Sequence, residues 1–168
     1  QSQGTVRPHL LDLPVSQYGV DMADHTDDLR LAHILADDAD SLTMSRFGAR
    51  DLTVSTKPDH SEVTDADLAV EDSVRRTLSR MRSRDAVHGE ERADTGDGPR
   101  RWIIDPIDGT ANFLRGVPVW ATLIALSVED QIVASVVSAP ALKRRWWAAR
   151  GSGAWSGKSL ASATPIHV

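Results

Sequence analysis

The stretch Trp102-Ile103-Ile104-Asp105-Pro106-Ile107-Asp108-Gly109-Thr110-Ala111-Asn112-Phe113 begins apolar and turns abruptly to two carboxylates, a proline and a glycine. Trp102 to Ile104 favour extended, sheet-packed backbone. Pro106 restricts Asp105 to extended or turn geometry, and Gly109 permits a backbone that a side chain would strain. The stretch therefore reads as a buried strand that delivers Asp105 and Asp108 to one focus at a tight turn. Two carboxylates held there repel each other unless a cation sits between them, which predicts a hard, oxygen-ligated metal, with Mg2+ the natural candidate. Upstream, Gly89-Glu90-Glu91 follows another short apolar piece and can supply the remaining negative ligands.

Working outward, apolar positions Leu31, Ile34, Leu35, Leu42 and Phe47 keep helical spacing and predict a helix from Thr26 or Asp27 to about Phe47, ended by Gly48. Asp37, Asp38 and Asp40 read as its solvated face. A short strand over Asp51 to Thr56 and a polar loop from Lys57 to Glu62 follow. Thr64 is a good N-cap for a helix from Asp65 to Met81, with Asp67 three residues on and Leu68, Val74, Leu78 and Met81 as its inner stripe. Ala86 to Gly89 is a short strand, and Asp94 to Pro99 is a turn-rich connection. Trp120 to Val128 and Gln131 to Ser138 form an antiparallel hairpin, and Arg144 to Arg150 returns beyond Pro140. Trp146 and Trp147 then fall on opposite faces of the sheet.

The expected fold is α+β, two helices packed on an antiparallel sheet. Residues 1–26 read as an extension outside the domain, with Met22 resembling a natural start, and residues 27–168 as the domain itself. With 168 residues, 40% of them apolar, the chain can bury a real core. A net charge of −5 and the lack of a basic patch interleaved with aromatics argue against nucleic acid as a partner. The chain contains no cysteine, which excludes disulfides, thiolate zinc sites and cysteine nucleophiles. No run approaches the roughly 20 apolar residues of a membrane span, and no signal peptide is visible. The cytoplasm is the expected compartment.

Gly89-Glu90-Glu91 followed by Trp102 to Phe113 resembles the inositol monophosphatase superfamily of magnesium-dependent, phosphate-releasing enzymes. Further matches are Thr64-Asp65 opening a helix and Gly116-Val117-Pro118 leading into a strand, and together they cover roughly Asp28 to the C-terminus. The segment from Ser138 through Ala154 resembles the actinobacterial histidinol-phosphatase branch. The resemblance implies the N-terminal half of a layered αβαβα sugar-phosphatase fold. It also implies that Glu90 and Asp105 hold a first Mg2+ with the main-chain carbonyl of Ile107, while Asp105 and Asp108 reach a second. Thr110, with Asp65, would orient or deprotonate the attacking water. The amides of Gly109 and Thr110 would face the phosphate, with Lys57 as a further cation on that side and Glu91 at the outer edge. Asn112 would fix the turn.

The implied reaction is hydrolysis of a small phosphorylated alcohol, histidinol phosphate first, with inositol-1-phosphate or a sugar phosphate as the competing substrate. Relatives also carry a Trp-Asp element in a second half, which this sequence lacks. The chain is therefore expected to be the metal-binding half of a phosphatase, completed by a missing C-terminal half or by homo-oligomerisation. A metal-binding assembly module is the non-catalytic alternative.

Overall fold

The computed structural model describes residues 25–167, so the expected extension lies outside the described residues up to residue 24. His25 and Thr26 already belong to the fold, with His25 buried and its Nδ1 3.2 Å from Asp28. The elements are α1 (Thr26–Arg46), β1 (Val54–Thr56), β2 (Glu62–Thr64), α2 (Asp65–Met81), β3 (Ala86–Gly89), β4 (Arg100–Asp108), α3 (Thr110–Leu114), β5 (Ala121–Val128), β6 (Gln131–Ala139), β7 (Arg144–Ala149), β8 (Gly153–Gly157) and β9 (Thr164–Ile166). Strands β3 to β9 form one sheet in sequence order, and β1 pairs with β2 in a separate hairpin. Among the described residues no helix is long and apolar enough to cross a membrane.

The fold is α+β, as expected, with three local differences. The sheet is mixed, because β3 runs parallel to β4 while every later pair is antiparallel. A parallel pair needs a crossover rather than a tight turn; residues 90–99 make it, pinned where Thr95 exchanges backbone bonds with Val87 at 2.7 and 2.9 Å. The polar loop after Lys57 is the tip of the β1–β2 hairpin. The small residues after Gly151 supply β8 and β9, whose pairing depends on backbone bonds rather than on an apolar pattern.

Helices α1 and α2 cover one face of the sheet. Leu31, Leu35, Val70, Val74 and Leu78 pack there on Trp102, Ile104, Ile124, Leu126 and Trp147. Ile34 and Met81, assigned to the inner stripes from spacing, are 46% and 49% exposed. Val70 and the carboxylate residue Glu71 take the buried positions on α2 instead. A second cluster of Ala66, Ile107, Phe113 and Trp120 closes under the turn after β4. On the opposite face Ile103, Leu123, Ala125 and Val137 are half-buried and line an open groove of about 400 Å³. Alternation along β4 thus sends Trp102 and Ile104 to the helices and Ile103 and Asp105 to the open side.

Two polar contacts fasten helices to sheet. Glu71 is fully buried, and its carboxylate accepts from Arg75 Nε at 2.8 Å, from the Glu91 amide at 2.7 Å and from the Arg92 amide at 3.2 Å. It lies so close to Gly89 that a Cβ there would stand 2.0 Å from Glu71 Oε1, which explains the glycine before the acidic pair. On α1, Asp37 and Asp40 are not simply a solvated face. Arg145, 5% exposed, bonds Asp37 at 2.9 Å and Asp40 at 2.6 Å, and its Nη1 lies 3.2 Å from His33 Nδ1. His33 therefore accepts from a guanidinium and stays neutral; burial, then the Arg145 charge, lower its pKa to about 4.

Two outcomes follow from these contacts. Replacing Glu71→Ala leaves Arg75 and two amides without their acceptor, and should cost about 3–5 kcal/mol, the usual loss when one partner of a buried ion pair is removed. The shift of the urea midpoint measures it. For His33, the unfolded chain takes up a proton near pH 6.5 while the folded chain resists until about 4. The associated stability is present above pH 6.5 and is lost as pH falls toward 4. A His33→Gln variant, which keeps an acceptor for Arg145, should lose less stability than the parent between pH 7 and 4.5 in urea denaturation.

Candidate active site

Residues three apart on a regular strand point to opposite faces, so Asp105 and Asp108 need an irregularity to meet. The β4–β5 register supplies it by slipping between Asp105 and Asp108. Pro106 has no N–H to give the ladder, and its carbonyl accepts instead from Thr122 Oγ1 at 2.8 Å. A bulge of this kind re-aims side chains, and the charge of Asp108 acts on Asp105. Gly109 then turns the chain at φ +88°, where a Cβ would also press to 3.2 Å from the Val119 carbonyl. Asn112 Nδ2 donates to that same carbonyl at 2.8 Å and ties the turn to the approach of β5.

Asp105 is half-buried and one of its oxygens, Oδ1, is buried without a partner. Burial, followed by the charges of Glu90, Asp108 and Asp67, pushes its pKa up to about 8. Glu90 reaches this corner from the end of β3, its amide bonded to the Ile104 carbonyl at 3.2 Å. Lys57, at the tip of the β1–β2 hairpin, sets its ammonium 2.6 Å from Glu90 and 2.8 Å from Glu91. Burial works against that charge, but the two carboxylates outweigh it and raise the lysine's pKa. Lys57 thus stands among the acids, on the Glu90 side of the corner.

Asp65 is not the carboxylate that Thr110 bonds. It opens α2, and Arg46 Nη2 bonds it at 2.9 Å. Asp67 stands at that place: Thr110 Oγ1 lies 3.4 Å from Asp67 Oδ1 and 3.0 Å from the Ile107 carbonyl. The cause is helix-start geometry. Asp67 occupies the third position of α2 and folds back in a capping box, accepting from the Thr64 amide at 2.8 Å and the Thr64 hydroxyl at 2.5 Å. Asp65, at the first position, is bonded by Arg46 through one oxygen, and its other oxygen is buried without a partner. Asp67 is buried, which raises its pKa against the bonds from Thr64 that lower it. The Thr64-x-x-Asp67 spacing was the available signal. For Glu71, the other residue that periodicity passed over, the signal was an acid on the buried stripe with Arg75 one turn on.

Glu90, Asp105, Asp108 and the Ile107 carbonyl present oxygen donors only, and the unpartnered Asp105 oxygen with its raised pKa marks a corner short of positive charge. These donors fit a hard divalent cation. Among the described residues no group of three acids or histidines forms a ready metal cage. Mg2+ does not require one, because it keeps several waters and binds through one or two carboxylates together with substrate phosphate.

Known proteins resemble this chain over most of its length. The chain is 60% identical over 151 residues to a histidinol-phosphatase of Streptomyces coelicolor, covering 88% of this chain and 57% of that protein. It is 62% identical over 131 residues to a histidinol-phosphatase of Mycobacterium tuberculosis, covering 77% and 50%. Among solved structures, the extragenic suppressor protein suhB of Bartonella henselae superposes with a TM-score of 0.75 at 33% identity, over 79% of this chain and 52% of that one. The chain thus spans about half the length of the curated relatives it matches. The family model for the inositol monophosphatase family matches residues 25–167, and the chain belongs to that family.

Proposed function

We propose that this chain carries the metal-binding layer of a Mg2+-dependent phosphomonoesterase, with histidinol phosphate as its substrate. The convergence of Asp105, Asp108 and Glu90 at one end of β4, with Thr110 and Asp67 beside them, carries the reading. The two histidinol-phosphatases at 60% and 62% identity support the choice of substrate. In this reading Glu90, Asp105 and the Ile107 carbonyl hold one Mg2+, and Asp105 and Asp108 share a second. Bound there, the ions neutralise the phosphoryl oxygens and make water a stronger nucleophile.

The chain's own residues orient the reaction. Thr110 Oγ1 takes the proton of the attacking water and passes its own to Asp67 Oδ1, whose raised pKa suits it to receive one. The carboxylate remains fixed meanwhile by two bonds from Thr64. The Thr110 amide opens a helix and has no acceptor within it, and with the Gly109 amide before it is available to the phosphate. Lys57 holds Glu90 and Glu91 in place at the mouth of the site. Protein laid over the open groove lined by Ile103, Leu123 and Val137 would meet the alcohol portion of the substrate.

Calorimetric titration of the chain with Mg2+ tests the metal reading. Asp105→Asn keeps the volume and removes the shared charge, and should weaken binding at least tenfold, about 1.4 kcal/mol or more; equal affinity would remove Asp105 from the site. Phosphate release from histidinol phosphate, with inositol-1-phosphate as the comparison, tests the substrate and the proton path. Asp67→Asn should lower kcat by about 10²- to 10⁴-fold, the usual size of a general acid–base contribution, with KM little changed. Asp65→Asn should leave turnover within a factor of two of the parent. The opposite ranking would return the role to Asp65.

A further inference from the structure

A second polar site lies at the same end of the sheet as the acids, three strands away. Ser138 on β6 pairs with Thr122, which bonds Pro106, and Arg145 on β7 pairs with Ser138. Three strand spacings put this place about 14 Å from β4. Here the end of β6, the short 3₁₀ turn Pro140–Leu142, the start of β7 and Lys158 beyond β8 enclose a pocket of about 230 Å³. Asp40, Ser138 and Arg145 form its floor, and Lys143, Arg144 and Lys158 its rim.

The floor is built around one buried guanidinium flanked by two carboxylates, and Asp40 Oδ1 is buried there without a partner. Arg145 is 5% exposed, its Nε donates to Ser138 Oγ at 3.0 Å, and Asp37, Asp40 and His33 take three more of its contacts. A guanidinium has five N–H donors, so one is left over from these four partners. The rim is not balanced. Among the described residues, no carboxylate forms an ion pair with Lys143, Arg144 or Lys158, while Arg144 lies over the Trp146 ring at 5.9 Å. Lys143 also adopts a left-handed backbone at φ +54°, a conformation that glycine or asparagine fills with less strain. Its amide closes the 3₁₀ turn on the Pro140 carbonyl at 2.9 Å, which fixes where the lysine side chain departs.

We infer that this pocket binds a phosphate-sized oxyanion, with room for a small substituent, at a site separate from the acidic corner. Ammonium and guanidinium donors on the rim supply the charge, three cations against the one carboxylate, Asp40, that lines the pocket. In a chain of net charge −5, three cations gathered on one small concavity form a local attractor for anions.

The sequence contains three lysines, Lys57, Lys143 and Lys158, so acetylation footprinting read by mass spectrometry gives a clean assay. The unaltered chain is labelled in EDTA with inorganic diphosphate added at constant ionic strength. Lys143 and Lys158 should be acetylated at least fivefold more slowly, and Lys57 at its original rate. Calorimetry under the same conditions should show one saturable site, weakened at least tenfold in a Lys143→Gln/Lys158→Gln variant whose melting temperature is unchanged. Unprotected rim lysines, protection matched by chloride at the same ionic strength, protection of Lys57 in their place, or equal affinity in a folded double variant would each overturn the site. If the double variant does not fold, the footprint on the unaltered chain decides. The metal-free conditions keep this result independent of the phosphatase reading.

Discussion

Crowding of negative charge at the end of β4 is the constraint from which the rest of the structure takes its form. The strand slips register between Asp105 and Asp108, the charge of Asp108 acts on Asp105, and the parallel pairing of β3 with β4 brings Glu90 to the same corner. Each carboxylate added there raises the cost of ionising the next. Burial and these acidic neighbours push the Asp105 pKa up to about 8, and Lys57 lodges its ammonium between Glu90 and Glu91. The hairpin of β1 and β2 therefore has an electrostatic reason to lie where it does.

The apolar packing that supports the corner is ordinary, but two polar anchors make it specific. Glu71 ties the first acidic turn to α2, and the Thr64–Asp67 box ties the start of that same helix to Thr110. One helix thus positions both the entry of Glu90 and the partner of Thr110. Such buried, fully bonded acids contribute little net stability relative to apolar residues of the same size, yet removing one partner is costly. Their effect is to fix geometry.

Much of this was legible in the residues. Apolar spacing placed α1 and α2 to within a residue or so, because amphipathic helices write their period into the chain, and the run from Trp102 to Gly109 announced both a buried strand and its charged end. The strands β8 and β9 were not legible, since Gly153 to Ile166 pair mainly through main-chain bonds that leave no side-chain period. Asp65 and Asp67 differ by two positions on one helix start, and choosing between them needs the direction in which each side chain leaves the first turn. Asp40 and Glu71 show the same limit. An acid reads as solvated until the structure reveals the arginine that reaches it from a distant strand or from one turn along the helix.

The acids also stand at a boundary. One face of β4 is sealed by Trp102 and Ile104 against the helices, while Ile103 and Asp105 face the open groove. Charges beside water interact through a high effective dielectric, and the same charges under a protein cover interact several-fold more strongly. A cover over the groove would therefore do more than bury Leu123 and Val137: it would sharpen the repulsion among Glu90, Asp105 and Asp108. The open sheet face and the acidic corner are coupled in this sense, because Asp105 and Glu90 line the groove and belong to the corner as well.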